Sequence, residues 1–101
     1  MEGSMDERII SFIKKYKISN SEIDSMLVGA PMLDAINYDE FVDNCKLLIQ
    51  YGYPKSDLDF LMLSNPNIFT MSFDDLKNDL KKLIKKYGDI EQILKQDPTI
   101  I

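Results

Sequence analysis

The side chains that most often carry catalysis or bind transition metals are scarce in this chain of 101 residues. The sequence contains no His, which removes the commonest general base and the commonest transition-metal ligand. The single cysteine, Cys45, stands between Phe41 and Leu48 at an inward helical position. That position is typical of core packing rather than of a reactive thiol. One cysteine also excludes an internal disulfide framework and indicates the cytoplasm or another reducing intracellular compartment.

Three groups of carboxylates are the remaining candidates for acid–base or metal chemistry. None has the spacing of a calcium loop, which needs Gly at its sixth position and Glu at its twelfth. Their placement in the first turns of helices is explained by the helix dipole, and no glycine-rich phosphate-binding motif is present. The sequence therefore predicts a protein that is not an enzyme, with no metal site and no cofactor site. The groups are Asp39-Glu40 with Asp43, Asp57 with Asp59, and Asp74-Asp75 with Asp79.

A cluster of lysines is the one basic feature of the sequence. The net charge is −5, whereas a nucleic-acid-binding protein usually has a surplus of Lys and Arg to neutralise phosphates. Acidic residues one turn before the lysines predict i,i+4 ion pairs on a solvated helix face. The alternative is a surface that binds phosphates or an acidic partner. The candidate binding face consists of Lys46, Lys77, Lys81, Lys82, Lys85 and Lys86.

Length and composition indicate one helical domain. The chain is 45% apolar and 29% charged, which is ordinary for a globular protein. Its four Gly and four Pro argue against a turn-rich β-sandwich or barrel. No apolar run is long enough to cross a bilayer, so we expect no membrane partner. The dipeptide Gly3-Ser4 before a second methionine, Met5, is typical of an expression scar, so we assign the domain to residues 5–101.

The dominant pattern is a repeat of 35 residues. We expect two complete units, 18–52 and 53–88, flanked by partial units at 5–17 and 89–101. Such units cannot bury their apolar faces alone, so neighbouring units must stack. Residues identical at this offset are Tyr16/Tyr51, Ser21/Ser56, Asp24/Asp59, Pro31/Pro66, Asp39/Asp74, Lys46/Lys81, Leu48/Leu83 and Ile49/Ile84.

Each complete unit is predicted to contain a short helix, a proline break and a long helix. Apolar residues spaced three and four apart predict amphipathic long helices over 38–51 and 73–87. The short helices are expected at 21–29 and 56–64, each ending before a proline because that residue disfavours a preceding helical conformation. The few apolar residues after each proline fit one 3-10 turn. An opening helix is expected over about 5–17.

Polar residues and glycines mark the ends of the long helices. Asn37 and Ser72 are expected N-caps, each followed by two acidic residues in the first turn. Gly52 and Gly88 are expected C-terminal stops. The structural repeat positions are therefore Pro31, Pro66, Pro98, Gly52 and Gly88.

The aromatic residues mostly fall on the inward stripes of these helices. Core positions are expected for Tyr38, Phe41, Tyr51, Phe73 and Tyr87, which argues against stacking with nucleic-acid bases. Two aromatic residues lie off the stripes and are exceptions, with Phe60 expected to be exposed. They are Tyr53 and Phe60.

One string of residues carries a family resemblance. It runs Tyr51-Gly52-Tyr53, Leu58 through Leu63, Asn65-Pro66-Asn67-Ile68, Ser72 and Leu76 through Leu83. The string resembles the mitochondrial transcription termination factor (mTERF) repeat, and the resemblance covers roughly residues 13–101. It implies an all-α fold, a short right-handed stack of helix–proline/3-10–helix repeats. It also implies binding of double-stranded nucleic acid along a basic concave face.

These features lead to three functional hypotheses. The first is a non-catalytic helical-repeat module that binds a protein partner, or itself, through the concave face or through an uncapped end exposing Ile100 and Ile101. The alternative is mTERF-like binding of nucleic acid through the lysine-rich helix face, which the net charge disfavours. The third is an acidic surface that mimics nucleic acid and occupies a basic site on a partner.

Overall fold

Six α-helices and three 3-10 turns follow one another along residues 5–101, the part of the chain that the computed structural model describes, with no strand among them. The all-α prediction is therefore confirmed, while the expected expression scar at residues 1–4 lies outside the described residues. The helices are α1 (Glu7–Lys14), α2 (Asn20–Gly29), α3 (Tyr38–Gln50), α4 (Leu58–Ser64), α5 (Phe73–Tyr87) and α6 (Ile90–Gln96). The 3-10 turns are Lys55–Asp57, the first proline turn Pro31–Asp34 and the second proline turn Pro66–Thr70.

The predicted caps of the two long helices are confirmed. The Asn37 side chain accepts a hydrogen bond from the Glu40 backbone N–H at 2.9 Å, and the Glu40 carboxylate accepts one from the Asn37 N–H at 3.2 Å. This reciprocal capping box satisfies two donors that the first turn of α3 cannot pair internally. Ser72 caps α5 in the same position, where its Oγ accepts from the Asp75 N–H at 3.2 Å.

Two glycines end the long helices because both adopt positive φ. Gly52 has φ 110° and Gly88 has φ 85°, a region that is strained for residues with a Cβ atom. After α3 the Gly52 N–H donates to the Ile49 carbonyl at 3.0 Å and the Tyr53 N–H donates to the Leu48 carbonyl at 2.9 Å. This pair of bonds is a Schellman motif, which stops the helix and turns the chain toward α4.

The opening helix is shorter than predicted. α1 covers Glu7–Lys14 instead of about 5–17, because the Asp6 side chain caps it through the Arg8 N–H at 2.8 Å. At its other end a turn follows, and Lys17 adopts φ 61°. Asp6 and Lys17 therefore mark boundaries that the apolar spacing of this segment does not show.

Elements about 35 residues apart in the sequence pack against each other. α2 packs on α4, α3 packs on α5, and the first proline turn packs on the second. α1 lies against α3 at one end, and α6 lies against α5 at the other. The short helices and proline turns thus form one layer and the long helices another, in a molecule measuring 43 × 24 × 19 Å along its principal axes.

An aromatic chain crosses the core between successive elements. Phe41 of α3 is fully buried. Its ring meets Phe12 of α1 edge-on with centroids 5.6 Å apart, and it stacks on Phe69 of the second proline turn at 5.4 Å. Both distances lie in the favourable range for aromatic pairs. Phe41 therefore ties together three segments that are distant in sequence.

Asparagine side chains link one helical unit to the next. Asn44, the buried polar side chain of the described residues, donates from Nδ2 to the Met71 carbonyl at 2.9 Å and to the Ile68 carbonyl at 3.4 Å. Asn67 donates to the Gly29 carbonyl at 3.1 Å, and Asn65 donates to the Pro98 carbonyl at 2.9 Å. Each bond satisfies a carbonyl in or beside a proline-containing segment, where regular helical bonding is interrupted.

Candidate interaction surfaces

Five lysines lie along α5, and helix geometry divides them into two rows. The first lysine row consists of Lys77, Lys81 and Lys85, which are spaced four residues apart and so lie on one face of the helix. The second lysine row consists of Lys82 and Lys86. Lys77 is half-buried and the other four are exposed. The α5 helix thus presents these lysines to solvent.

The predicted i,i+4 ion pairs on α5 are wrong. None of the α5 lysines lies within salt-bridge distance of an α5 aspartate, because holding two long exposed side chains together gains little free energy. Asp75 and Asp79 flank the second lysine row, whereas the first row has only Asp74 at its start, so the first row carries the excess of positive charge. The salt bridges among residues 5–101 are Arg8–Asp6 at 3.0 Å, Lys95–Asp57 at 2.6 Å and Lys95–Glu91 at 2.8 Å.

Lys46 is exposed on α3, at the repeat position of Lys81. Asp39 and Asp43 lie seven and three residues before it, on the same side of the helix, and both are exposed. Carboxylates therefore outnumber lysine on this part of α3. Although α3 packs on α5, Lys46 does not extend the positive charge of the first lysine row onto its own helix.

A second surface is apolar and belongs to the layer of short helices. Val28 of α2 is 83% exposed, Met32 of the first proline turn 61%, and Phe60 and Leu63 of α4 38% and 45%. Val28 and Leu63 occupy the same repeat position, and because α2 packs on α4 they lie on the same side of the layer. We refer to Val28, Met32, Phe60 and Leu63 as the short-helix face. Large exposed apolar side chains on adjoining elements commonly mark interaction sites.

The aromatic residues depart from the predicted positions at the helix ends. Phe60 is exposed, as expected, but Tyr53 is fully buried. Its hydroxyl donates to the Asp57 carbonyl at 3.1 Å, and burial raises the pKa of Tyr53 to about 12. Phe73 and Tyr87, which were predicted to point inward, are 44% and 45% exposed. They are the first and last residues of α5.

The expected apolar end at Ile100 and Ile101 is largely closed. Both side chains are half-buried and pack against the core.

The Lys95 ammonium binds Asp57 and Glu91 and lies 5.9 Å from the centre of the Tyr53 ring. These hydrogen bonds raise the pKa of Lys95, so the ammonium stays charged and joins α6 to the turn before α4.

Cys45 lies in the core, as predicted. The side chain is 2% exposed, and burial raises the pKa of its thiol to about 12. The thiol is therefore protonated at neutral pH and is not a nucleophile. Within residues 5–101, no group of three or more Cys, Asp or Glu side chains is placed to hold a metal ion.

Two sets of residues were not singled out by the sequence pattern. Asn44 stands at an inward position but is polar, so a search for apolar spacing passes over it. Val28 and Leu63 lie off the inward stripe, yet their recurrence at the same repeat position was a usable signal. Two apolar residues conserved in character at one outward position indicate a surface rather than a core.

Comparison with known proteins gives no relative from which a function could be taken. The chain matches no family model, no curated protein and no solved structure. In the described residues, no helix combines the length and apolar character needed to cross a membrane. The exposed surfaces of α2, α4 and α5 are therefore the features from which a function can be inferred.

Proposed function

We propose that the chain is a non-catalytic helical-repeat module that binds a protein partner through the short-helix face. The observation that carries the proposal is the exposure of Val28, Met32, Phe60 and Leu63 together on one layer. Burying such side chains in an interface contributes roughly 25 cal/mol for each Å² of apolar surface removed from water. The free Cys45 fits a reducing intracellular compartment as the place of binding.

We further propose that the architecture is a short right-handed stack of the mTERF repeat type. Its support is the recurrence of helix, proline turn and longer helix, with Pro31 and Pro66 each opening the turn. Packing of each element on its counterpart in the next unit is what stacking of repeats requires. In such a stack the outer surface of the short helices is one continuous strip, which suits a partner that crosses several units.

Replacing Val28 and Leu63 with Ser is expected to weaken partner binding about tenfold or more without unfolding the protein. Each aliphatic side chain contributes roughly 1.5–3 kcal/mol when it is fully buried, and about 1.4 kcal/mol corresponds to a factor of ten. The probe is a fluorescein-labelled amphipathic helical peptide of Leu and Gln, measured by anisotropy. Sedimentation velocity over a range of protein concentrations measures self-association in parallel.

The matched control is the pair Ile49→Ser and Phe73→Ser, which also removes two exposed apolar side chains but from the long-helix layer. Circular dichroism checks that both variants remain helical. The proposal fails if the wild-type protein is monomeric at every concentration and binds the peptide no more tightly than the Val28→Ser/Leu63→Ser variant does.

The second candidate function is binding of double-stranded nucleic acid through α5. It is favoured by the first lysine row, whose three side chains lie on one face of α5 and form no salt bridge with the aspartates of their own helix. Spaced positive charges of this kind can follow a phosphate backbone. Exposed Phe73 and Tyr87 stand at the two ends of the same helix.

The nucleic-acid candidate predicts that affinity for a 20-base-pair duplex falls steeply between 50 and 200 mM salt. Replacing Lys81, Lys82, Lys85 and Lys86 with Ala should weaken duplex binding strongly and flatten the salt dependence of the affinity that remains, because each lost phosphate contact reduces the slope by roughly 0.9. Electrophoretic mobility shift and anisotropy measure both quantities. A control that replaces Lys14, Lys15, Lys17 and Lys55 with Ala makes the same charge change elsewhere. An equal loss of duplex affinity in both variants would show that the effect depends on net charge and not on the lysines of α5.

A further inference from the structure

The helices and proline turns that carry the short-helix face contain no positively charged side chain of their own, although Lys55 and the Lys95 ammonium lie at the turn before α4. Segments 18–45 and 56–76 contain no Lys or Arg, and they include α2, α4 and both proline turns. The lysines lie on α1, α3, α5 and α6 and in the connections before α2 and α4. The charged side chains of α2, α4 and both proline turns are therefore all acidic, whereas α5 on the other layer carries a net positive charge.

Carboxylates stand directly beside the exposed apolar side chains. Asp24 precedes Val28 by four residues on α2, and Asp59 precedes Leu63 by four residues on α4, so each pair shares one helix face. Asp34 follows Met32 by two residues in the first proline turn and is exposed. None of these three carboxylates forms a salt bridge within the described residues. Their charge is available to a partner.

An open cavity is lined by two of these carboxylates, Asp24 and Asp34, and by residues near the start of the described chain. Its volume is about 280 Å³, and Asp24 and Asp34 lie at its polar side. Such a combination suits the side chain of Lys or Arg, whose aliphatic stem packs on apolar surface while its charged head binds carboxylates. The remaining lining residues are Met5, Ile10, Asn20, Ile23 and Leu27.

We propose that the partner of the short-helix face is a basic amphipathic helix, an inference that rests on the proposed function. Its apolar stripe would pack on Val28, Phe60 and Leu63, and Lys or Arg residues beside the stripe would bind Asp24 and Asp59. The described residues offer no strand edge to which an extended peptide could add, whereas the packed helices α2 and α4 both present exposed apolar side chains on which a helix can pack.

A second copy of this chain does not provide that partner. If two copies met through their short-helix faces, the carboxylates of one face would lie against the carboxylates of the other. Its most basic helix, α5, turns its apolar residues Leu76, Leu80 and Leu83 into its own core. The complementary surface must therefore belong to a different chain.

The experiment uses three labelled peptides of 18 residues with the same amphipathic leucine spacing and Lys, Gln or Glu at the polar positions. Anisotropy with the wild-type protein is expected to give the tightest binding for the Leu/Lys peptide and the weakest for the Leu/Glu peptide. The Asp24→Asn/Asp59→Asn variant should bind the Leu/Lys peptide about fivefold more weakly or worse and the Leu/Gln peptide unchanged. The control Asp43→Asn/Asp79→Asn makes the same change in net charge on the long-helix layer and should stay within about twofold of wild type.

The outcomes separate this proposal from the proposed function. Suppose that the Val28→Ser/Leu63→Ser variant binds the Leu/Gln peptide more weakly than wild type does, but the Asp24→Asn/Asp59→Asn variant binds the Leu/Lys peptide as tightly as wild type. The proposal of a basic partner is then wrong, and the proposal of a binding module stands. The same conclusion follows if the Asp24→Asn/Asp59→Asn and Asp43→Asn/Asp79→Asn variants lose the same affinity for the Leu/Lys peptide. It also follows if sedimentation velocity shows that the protein dimerises through the short-helix face. If no peptide binds and the chain stays monomeric, both proposals are wrong.

Discussion

The Asn44→Asp variant is expected to lose at least about 3 kcal/mol of unfolding free energy at neutral pH, because it places a buried charge against two carbonyl oxygens. In the wild-type protein the Asn44 amide donates to the carbonyls of Met71 and Ile68. A carboxylate has nearly the same shape as the amide but only accepts hydrogen bonds. The substitution therefore turns two attractive contacts between α3 and the second proline turn into repulsive ones.

Urea denaturation followed by circular dichroism measures the loss. Asn44→Ala, which removes the donor without adding a charge, should cost about 1–3 kcal/mol. Asp43→Asn, on the exposed side of the same helix, should change stability by less than about 0.5 kcal/mol. A loss of under 1 kcal/mol for Asn44→Asp would show that Asn44 does not join the two units in solution.

Asn44 also shows why the repeat pattern predicts some contacts and not others. The equivalent position in the next unit is Asp79, which is half-buried. Asn44 faces the second proline turn. After α5 the chain continues through α6 to Pro98, and within the described residues Pro98 does not open a third proline turn of the same form for Asp79 to face. A buried amide is therefore needed at the first position, and a carboxylate is tolerated at the second.

The helix boundaries that the sequence predicted best are those set by local chemistry. Asn37 and Ser72 cap α3 and α5 through neighbours three residues away, and Gly52 and Gly88 stop the same helices through their own backbone conformation. Such signals need no knowledge of the rest of the fold. The end of α1 had no such signal in the sequence, since the residue that adopts positive φ there is Lys17 and not a glycine.

The errors in burial concern residues at the ends of a helix and in the connection after one. Phe73 and Tyr87 satisfy the inward spacing of α5 but stand at its two ends, so half of each ring meets solvent. Tyr53 lies in the connection after α3, where helical periodicity does not apply, and it is buried by residues from other elements. Spacing gives the direction of a side chain, and the fold decides whether another element covers it.

The two candidate surfaces were predictable from the sequence to different degrees, because the sequence shows the charge of a helix but not which of its sides is covered. The lysines of α5 were visible in the sequence as a charged run. The short-helix face required knowing that no element covers the outer side of α2 and α4, which only the three-dimensional arrangement shows. The two surfaces lie on different layers and differ in charge, so substitutions on one are expected to leave the other intact.

The Phe41→Ala variant is expected to lose about 3–5 kcal/mol of unfolding free energy, the usual range for truncating a buried Phe. The lost contacts are those with Phe12 of α1 and Phe69 of the second proline turn. A domain of this size is stabilised by about 5–15 kcal/mol in total, so a large part of its stability depends on this ring. Because Phe41 connects successive units, its loss should also reduce the cooperativity of unfolding.

Urea titrations read by circular dichroism and by tyrosine fluorescence measure both effects. For the Phe41→Ala variant we expect a lower midpoint and transitions that no longer coincide between the two probes. Phe60→Ala is the matched control, since it makes the same truncation on an exposed ring of the short-helix face, and it should cost less than about 1 kcal/mol. Equal losses in the two variants would contradict the burial of Phe41, and a single coincident transition would show that the units unfold together without its ring.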